Sequence, residues 1–431
     1  MPRITPEDKR RTAKKDKMID IERDAKIDYS AMSEECLVQI GPQFEGEPVR
    51  KGEYQVELGG PKADGVYMLR AKNMDDVEDG KMTVIGPDIN EMEDGSSQPF
   101  ALLVEISGKG MDSENEVVPE RRLHSYQNYL DGVWATGART DSWTRISKEA
   151  YEKGLKSFED LGNIFRNLYM SDFLQIKKVA CTFITDEKKV EEFLVEAKEV
   201  FAQRDARMKD MSEEEVEEFY SCTLCSSFAP SHVCIITPDR MSLCGALNYL
   251  DAKMTFQMEP DGYVGKHIKG ELLDSDTYEY SGINEAVKEK SMGATERVYL
   301  HSAFDFPHTS CGCFQGLLFY IPEVDGFGYV HRDFQGEICN GRTFSSMAGE
   351  AAGGKQIEGL IGSAIDYLRS KKFLIGDGGL NRIVWLPKEI KEDLKEDIPE
   401  ELYPKISSEE DATNVEDLME FLEQQGHPCL T

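Results

Sequence analysis

No stretch of this 431-residue sequence approaches the roughly 18 uninterrupted apolar residues that a membrane span needs, and its polar start lacks the apolar run of a secretory signal. These absences predict a cytoplasmic protein with no membrane partner. Basic charge is scarce as well: 50 Lys and Arg stand against 81 Asp and Glu, a formal net charge of -31. Such a surface repels nucleic acid and anionic lipid, so neither is expected as a main partner, and any basic patch has to be local. No internal repeat is evident. With no secretory signal beside them, the ten cysteines are not expected to form a disulfide framework, and their clustering points instead to metal ligation in a reducing compartment.

What is present is a globular composition, 40% hydrophobic and 30% charged, in a chain long enough for two to four domains, each with its own core. The fold class expected is α+β, or mixed α/β, with two main domains. Residues 1–30 read as a charged tail. Residues 31–210 read as an α+β domain, because short extended runs recur at Tyr54 to Leu58, Val66 to Leu69, Met82 to Ile85 and Ala101 to Ile106 between Gly, Pro and Asp turns. Helices are expected near Leu155 to Met170 and over Asp186 to Met208, with a capping box at Ser212 and Glu215 opening a short helix that ends at Tyr220. Residues 211–400 read as an α/β domain carrying a loop-bound metal cluster, with strands at Val233 to Ile236, Val298 to His301, Leu317 to Ile321 and Arg382 to Trp385. A helix is expected over Lys355 to Arg369, and Pro387 suits the first position of the next one. Residues 401–431 read as an acidic C-terminal helix starting at a Thr413 and Glu416 capping box and stopping at Gly426.

Six cysteines carry the chemistry. Four follow the pattern Cys222-x2-Cys225-x8-Cys234-x9-Cys244, and four thiolates so close in sequence can converge on a zinc ion or on a 4Fe-4S cluster. The other two form Cys311-Gly312-Cys313. Two thiolates separated by one glycine can chelate a single ion together with backbone amide nitrogens, giving the S2N2 square plane that Ni(II) and Cu(II) prefer. A zinc fold alone leaves this second pair unused, so the two groups together suggest one polynuclear assembly. Cys36, Cys181, Cys339 and Cys429 sit alone and read as buried or incidental thiols.

Other signals are weaker. Gly349 to Gln356 comes one residue short of a phosphate-binding loop, but Gln356 stands where Ser or Thr must hold Mg2+, which argues against nucleotide hydrolysis. His232 and His308 lie near the cysteines, where a supporting hydrogen-bonding role fits better than metal ligation. Arg121, Arg122, Arg139, Arg145 and Arg166 surround Trp134 and Trp143 in sequence. Guanidinium groups clamp phosphates and an indole stacks on adenine, so a nucleotide-containing ligand such as coenzyme A fits; pairing of these arginines with nearby Asp and Glu is the simpler alternative.

The stretch Ser221-Cys-Thr-Leu-Cys-Ser-Ser-Phe-Ala-Pro-Ser-His-Val-Cys234, continuing to Leu243-Cys244-Gly245, with Thr309-Ser-Cys-Gly-Cys-Phe314, resembles the active-site signature of the acetyl-CoA synthase family. Within that family it is similar to the β subunits of the archaeal acetyl-CoA decarbonylase/synthase complex, from Phe44 to about Leu394. The resemblance implies that Cys222, Cys225, Cys234 and Cys244 hold a [4Fe-4S] cluster and that Cys225 also bridges to a proximal nickel. Cys311 and Cys313 then bridge that nickel to a distal nickel chelated through the amide nitrogens of Gly312 and Cys313. Phe228 matches the aromatic residue that shields the proximal nickel, and Trp134 with its surrounding arginines matches the coenzyme A region. Gln315 departs from the acidic residue expected there. The implied activity joins CO, a methyl group from a corrinoid iron-sulfur protein, and coenzyme A into acetyl-CoA, or runs in reverse, beside CO dehydrogenase subunits. Admitting the bulky methyl donor further implies a mobile interface between the two halves. The alternatives are a non-catalytic iron-sulfur or zinc scaffold in a redox complex, or a coenzyme A binding module without metals.

Overall fold

Runs of Val, Ile, Leu and aromatic residues bounded by Gly and Asp form the sheets of both halves of the protein, a mixed α and β architecture. The computed structural model describes residues 36–430, so the tail expected at residues 1–30 lies outside the described residues. The chain divides into two units between Arg207 and Met208. Among the described residues no helix is long and apolar enough to cross a membrane.

The first unit contains strands β1 (Tyr54–Gly59), β2 (Gly65–Ala71), β3 (Met82–Ile85), β4 (Ser96–Gln98), β5 (Phe100–Gly108), β6 (Val133–Thr136), β7 (Trp143–Ser147) and β8 (Ile176–Ile184). They form two mixed sheets, ordered β4-β1-β7-β6 and β2-β5-β8-β3. Helix Phe158–Asp172 starts where the Ser157 side chain accepts from the Asp160 amide, and it buries Phe158, Leu161, Ile164, Phe165 and Leu168 at the three- and four-residue spacing of one face. Phe158 stacks on Phe183 of β8 at 4.9 Å. Asp186 caps helix Glu187–Ala206 in the same way. Val190, Phe193, Ala197 and Phe201 of that helix pack on Val66, Met68 and Ala101 of the sheet.

The second unit has a three-stranded sheet of β9 (Glu218–Cys222), β10 (Cys234–Ile236) and β11 (Val264–Ile268), in the order β10-β9-β11. A two-stranded ribbon joins β12 (Leu272–Asp274) to β13 (Glu279–Tyr280). A four-stranded sheet, ordered β16-β14-β15-β17, is built from β14 (Gly316–Ile321), β15 (Gly326–His331), β16 (Leu360–Ser363) and β17 (Ile383–Trp385). Its core includes Leu318, Phe327, Tyr329, Ile361, Ile383 and Leu386, and extends to Leu402 and Ile406. The C-terminal segment is tied to it: the Trp385 indole donates to the Ala412 carbonyl at 3.0 Å, and the Leu386 amide donates to the Ser407 carbonyl at 3.0 Å.

Four local expectations are corrected. Residues 355–369 do not form one helix; β16 and the 3-10 turn Ile365–Arg369 take their place. Ile357, Leu360, Ile361 and Ile365 carry a helical spacing, but Leu360–Ser363 is buried on both faces, and pairing with β14 wins. Val298 to His301 is not a ladder strand and contributes only the isolated bridge of Tyr299 with Pro307. Ser212 and Glu215 do make a capping box, but its 3-10 helix stops at Glu215 and Glu218–Cys222 is strand β9. The last helix, Val415–Gln425, is capped by Asn414 rather than Thr413 and ends at Gly426 in the left-handed region, as expected.

Candidate metal centre

Sheet register brings the first pair of thiols together. Cys222 ends β9 and Cys234 begins β10, and antiparallel pairing sets them directly opposite each other. Cys225 sits one turn further on, in the 3-10 helix Leu224–Ser227. Cys244 lies within a turn in which the Gly245 amide donates to the Ser242 carbonyl at 2.8 Å. Cys311 and Cys313 lie just before β14. All six are buried.

The two cysteine groups meet at Cys225. Its thiol lies beside those of Cys311 and Cys313, and these neighbours together with burial push it well above the usual thiol range. Burial does the same to Cys234, with the neighbouring Cys222, Cys311 and Cys244 adding to it. At Cys311 the neighbouring Cys225 favours the thiolate, but Cys313 and burial outweigh it and the net direction is up. Crowded, buried thiols such as Cys225, Cys234 and Cys311 are hard to ionise in isolation, and a soft cation that supplies positive charge reverses that balance. The donor set therefore fits a soft-metal centre. The thiols are gathered rather than wrapped around one point: among the described residues no three Cys, His, Asp or Glu side chains converge as ligands of a single ion.

Hydrogen bonds to sulfur support the set. The Leu243 amide donates to Cys234 Sγ at 3.4 Å, the Ser242 hydroxyl hydrogen-bonds with Cys244 Sγ at 3.5 Å, and the Cys313 amide donates to Cys311 Sγ at 3.3 Å. His308 is fully engaged elsewhere: Nδ1 donates to the Thr309 carbonyl at 2.7 Å, which leaves Nε2 to accept from the Ile235 amide at 3.0 Å. Burial holds this ring well below the usual imidazole range, hence neutral. His308 thus ties β10 to the segment leading into Cys311. His232 Nδ1 hydrogen-bonds with Thr309 Oγ1 at 3.0 Å, and burial pushes its pKa down to about 3.

The glycine-rich segment that comes short of a phosphate loop has another task. The amides of Gly353 and Gly354 donate to the carbonyls of Cys311 (2.9 Å) and Ser310 (2.8 Å). The Ser231 hydroxyl donates back to the Gly354 carbonyl at 3.0 Å. These glycines therefore hold the Cys-Gly-Cys tripeptide against the loop that carries Cys234. Gln315 is structural in the same sense: its Oε1 accepts from the Ile365 amide at 3.0 Å and its own amide donates to Leu243 beside Cys244. Phe228 follows the 3-10 helix, partly buried, with its amide donating to the Cys225 carbonyl at 3.3 Å. Gly312 has room around it, since a Cβ placed there meets only Ala352 Cβ at 3.8 Å. Of the solitary thiols, Cys36, Cys181 and Cys339 are buried, and burial pushes Cys181 up to about 12.

The arginines of the first unit are distributed. Arg145 is brought together with both tryptophans, its guanidinium 4.6 Å from the Trp143 ring centre and 5.6 Å from that of Trp134, while the two indoles pack edge to face at 5.0 Å. Arg145 Nε also donates to Glu57 at 2.7 Å. Burial alone raises the Glu57 carboxyl, but hydrogen bonds from Ser97 and Arg145 outweigh it and hold it below the usual range. Arg166 pairs with Asp79, Arg122 with Asp172 and Arg139 with Asp205, and Arg121 donates to the Tyr67 hydroxyl. Arg204, which sequence reasoning did not single out, binds Glu116 and Glu120 inside this unit. No local motif announces it; its place on the buried face of a long helix is the available signal.

Residues 201–431 match the family described as the C-terminal part of the ACS/CODH beta subunit, and residues 36–190 match the CO dehydrogenase/acetyl-CoA synthase complex beta subunit. The chain is similar to the acetyl-CoA decarbonylase/synthase complex subunit beta of Methanopyrus kandleri, 51% identical over 394 residues, which span 91% of this chain and 84% of that one. It is similar to the subunit of the same name from Methanothermobacter thermautotrophicus, 48% identical over 93% of this chain and 86% of the relative. Among solved structures, the C-terminal domain of an acetyl-coenzyme A synthase alpha subunit is 37% identical over 28% of this chain and 96% of that domain, with a TM-score of 0.27. With both halves of its sequence matched in this way, the chain belongs to the β-subunit family of CO dehydrogenase/acetyl-CoA synthase complexes.

Proposed function

We propose that this protein forms and cleaves acetyl-CoA at a centre of two nickel ions and a [4Fe-4S] cluster held by its six clustered cysteines. Its reaction partners on this reading are CO, a methyl group carried by a corrinoid iron-sulfur protein, and coenzyme A, in a cytoplasmic assembly with CO dehydrogenase subunits. One observation supports the reading: Cys225, a member of the four-cysteine group, lies beside both thiols of the Cys-Gly-Cys pair, so on this reading one sulfur serves both metal sets.

Cys222, Cys225, Cys234 and Cys244 are the residues for the iron-sulfur cluster, and Cys311 and Cys313, with the amides of Gly312 and Cys313, are those for nickel. When bound, such a centre supplies an electron-rich metal at which a methyl group, CO and a thiolate are joined into a thioester. The chain's own part is to gather the thiols, keep water from them through burial, and fix the Cys-Gly-Cys backbone through Gly353 and Gly354. Phe228, beside Cys225, shields the metal face on this reading. Trp134, Trp143 and Arg145 offer a stacking and phosphate-binding surface for coenzyme A, where a phosphate competes with Glu57 for the guanidinium.

The test is anaerobic reconstitution with iron, sulfide and nickel, followed by metal analysis and an assay of exchange between free CO and the carbonyl of acetyl-CoA. About four iron and about two nickel per chain are expected, with exchange activity. Cys313→Ser should lose nickel and exchange while keeping its iron. About one zinc per chain and no exchange would mark a structural metal protein and end the catalytic reading.

A further inference from the structure

Sheet register places one buried cation on the metal-binding tripeptide. Gly316 at the start of β14 pairs with His331 at the end of β15, so Arg332, the next residue, emerges beside the segment that leads into β14. The Arg332 amide donates to the Gln315 carbonyl at 2.9 Å, which fixes its backbone against the same strand. One terminal nitrogen of the guanidinium, Nη2, donates to the Phe314 carbonyl at 2.8 Å and to the Gly312 carbonyl at 3.1 Å. The side chain is buried, 6% exposed. The cation therefore straddles Cys313, gripping the peptide on either side of it.

The Gly312 carbonyl and the Cys313 amide nitrogen belong to one conjugated peptide group. If that nitrogen ligates a square-planar dication, its hydrogen leaves as a proton to solvent, and the negative charge that replaces it is shared with the Gly312 oxygen. Two thiolates and two such amide anions around a dication leave a doubly negative unit. We propose that Arg332 is the positioning residue and counter-cation of this chelate, fixing the Gly312–Cys313 peptide plane and favouring its metal-bound anionic form over the free peptide. This rests on the nickel reading given above. A hydrogen bond from an ionised donor strengthens as its acceptor gains charge, and a buried site screens it little. The grip on Phe314 keeps the guanidinium in place when the Gly312 peptide changes charge. Zinc supplies the contrast, because it binds thiolates tetrahedrally and leaves amide hydrogens in place.

The experiment uses the full chain with its iron-sulfur cluster assembled, and compares the wild type with Arg332→Lys, Arg332→Gln and Arg332→Met. Chelator competition gives Ni(II), Cu(II) and Zn(II) affinities, and absorption spectra follow the square-planar Ni(II) band. The expected result for Arg332→Met is a loss of about 10- to 100-fold in Ni(II) and Cu(II) affinity, a shifted Ni(II) band, and unchanged Zn(II) affinity and iron content. Lysine should restore part of the loss and glutamine less. If the methionine variant fails to fold, the lysine and glutamine variants decide, since they differ in charge while both keep a donor. Ni(II) affinity within twofold of the wild type in all folded variants would overturn the proposal, as would equal losses for nickel and zinc. A wild-type protein with no square-planar Ni(II) band at all would overturn the nickel reading itself, which is a separate outcome.

Discussion

The Ser231 hydroxyl donates to the Gly354 carbonyl at 3.0 Å, across 123 positions of sequence. Around that bond, a Cβ on Gly354 would stand 2.5 Å from Ser231 Oγ and 2.6 Å from the His232 backbone nitrogen, and Gly354 has φ +76. Both the close approach and the left-handed backbone require glycine here. The segment joins the loop before Cys234 to Cys311, so the meeting of the two cysteine groups depends on it.

Gly354→Ala is therefore expected to destabilise the protein by about 2–4 kcal/mol, from backbone strain and overpacking together, and to lower nickel content after reconstitution. Gly349→Ala is the internal control. That residue lies in helix Phe344–Ala351, where an added Cβ would have nothing within 4 Å of it, so alanine should stabilise by roughly 0.5–1 kcal/mol through helix propensity. Thermal melts of both variants check the contrast, and equal behaviour would show that Gly354 is not a contact point.

At Gln315 the relevant atom is Oε1, which accepts from the Ile365 amide. A glutamate keeps an acceptor at that position and a leucine does not. Gln315→Glu is expected to retain the wild-type melting temperature at neutral pH within a few degrees, whereas Gln315→Leu leaves the Ile365 amide without its acceptor and loses about 1–3 kcal/mol. A leucine variant as stable as wild type would remove the structural role assigned to this side chain.

Gly312 behaves differently from Gly354. Its Cβ position is open apart from Ala352 at 3.8 Å, and nothing in this chain's own packing demands glycine there. Gly312→Ala should fold with stability within about 0.5 kcal/mol of the wild type. A denaturant titration checks this, and a larger loss would mean that the tripeptide is strained by a single methyl group.

The grouping of the cysteines was legible because residue type and short spacing are both visible in one dimension. The helices Phe158–Asp172 and Glu187–Ala206 were legible to within a few residues of their ends. The strand Leu360–Ser363 was not, because its apolar residues fit a helical period and only the partner strand decides between the two. Gly359 at φ +69 and Gly362, whose Cβ would meet the Phe314 ring at 2.4 Å, were the available signals against a helix. Arg332 was invisible for a deeper reason. It stands 18 residues after Phe314, and only the register of β14 with β15 brings the two together. The glycines at 353 and 354 were noticed only as a near-match to a phosphate loop that Gln356 argues against, while the structure uses their amides on Cys311 and Ser310.

The Glu279 and Arg297 pair gives a pH-dependent prediction away from the metal centre. Arg297 Nε and Nη2 each donate to a Glu279 carboxylate oxygen at 2.7 Å, Asn284 adds a third bond at 2.7 Å, and the guanidinium also lies 4.3 Å from the Phe306 ring centre. The Arg297 hydrogen bonds are the main reason that the Glu279 carboxyl sits below its usual range. A carboxyl depressed in the folded state adds stability that is fully present above its unfolded pKa of about 4.3 and is lost as pH falls through the lower folded value. Arg297→Met removes that coupling but keeps an apolar side chain over Phe306. The melting temperature of the variant should therefore fall below that of the wild type at pH 7, and the gap should narrow as pH is lowered through 5 towards 3. A gap that stays constant over that range would mean that Arg297 stabilises this corner through packing on Phe306 rather than through the carboxylate.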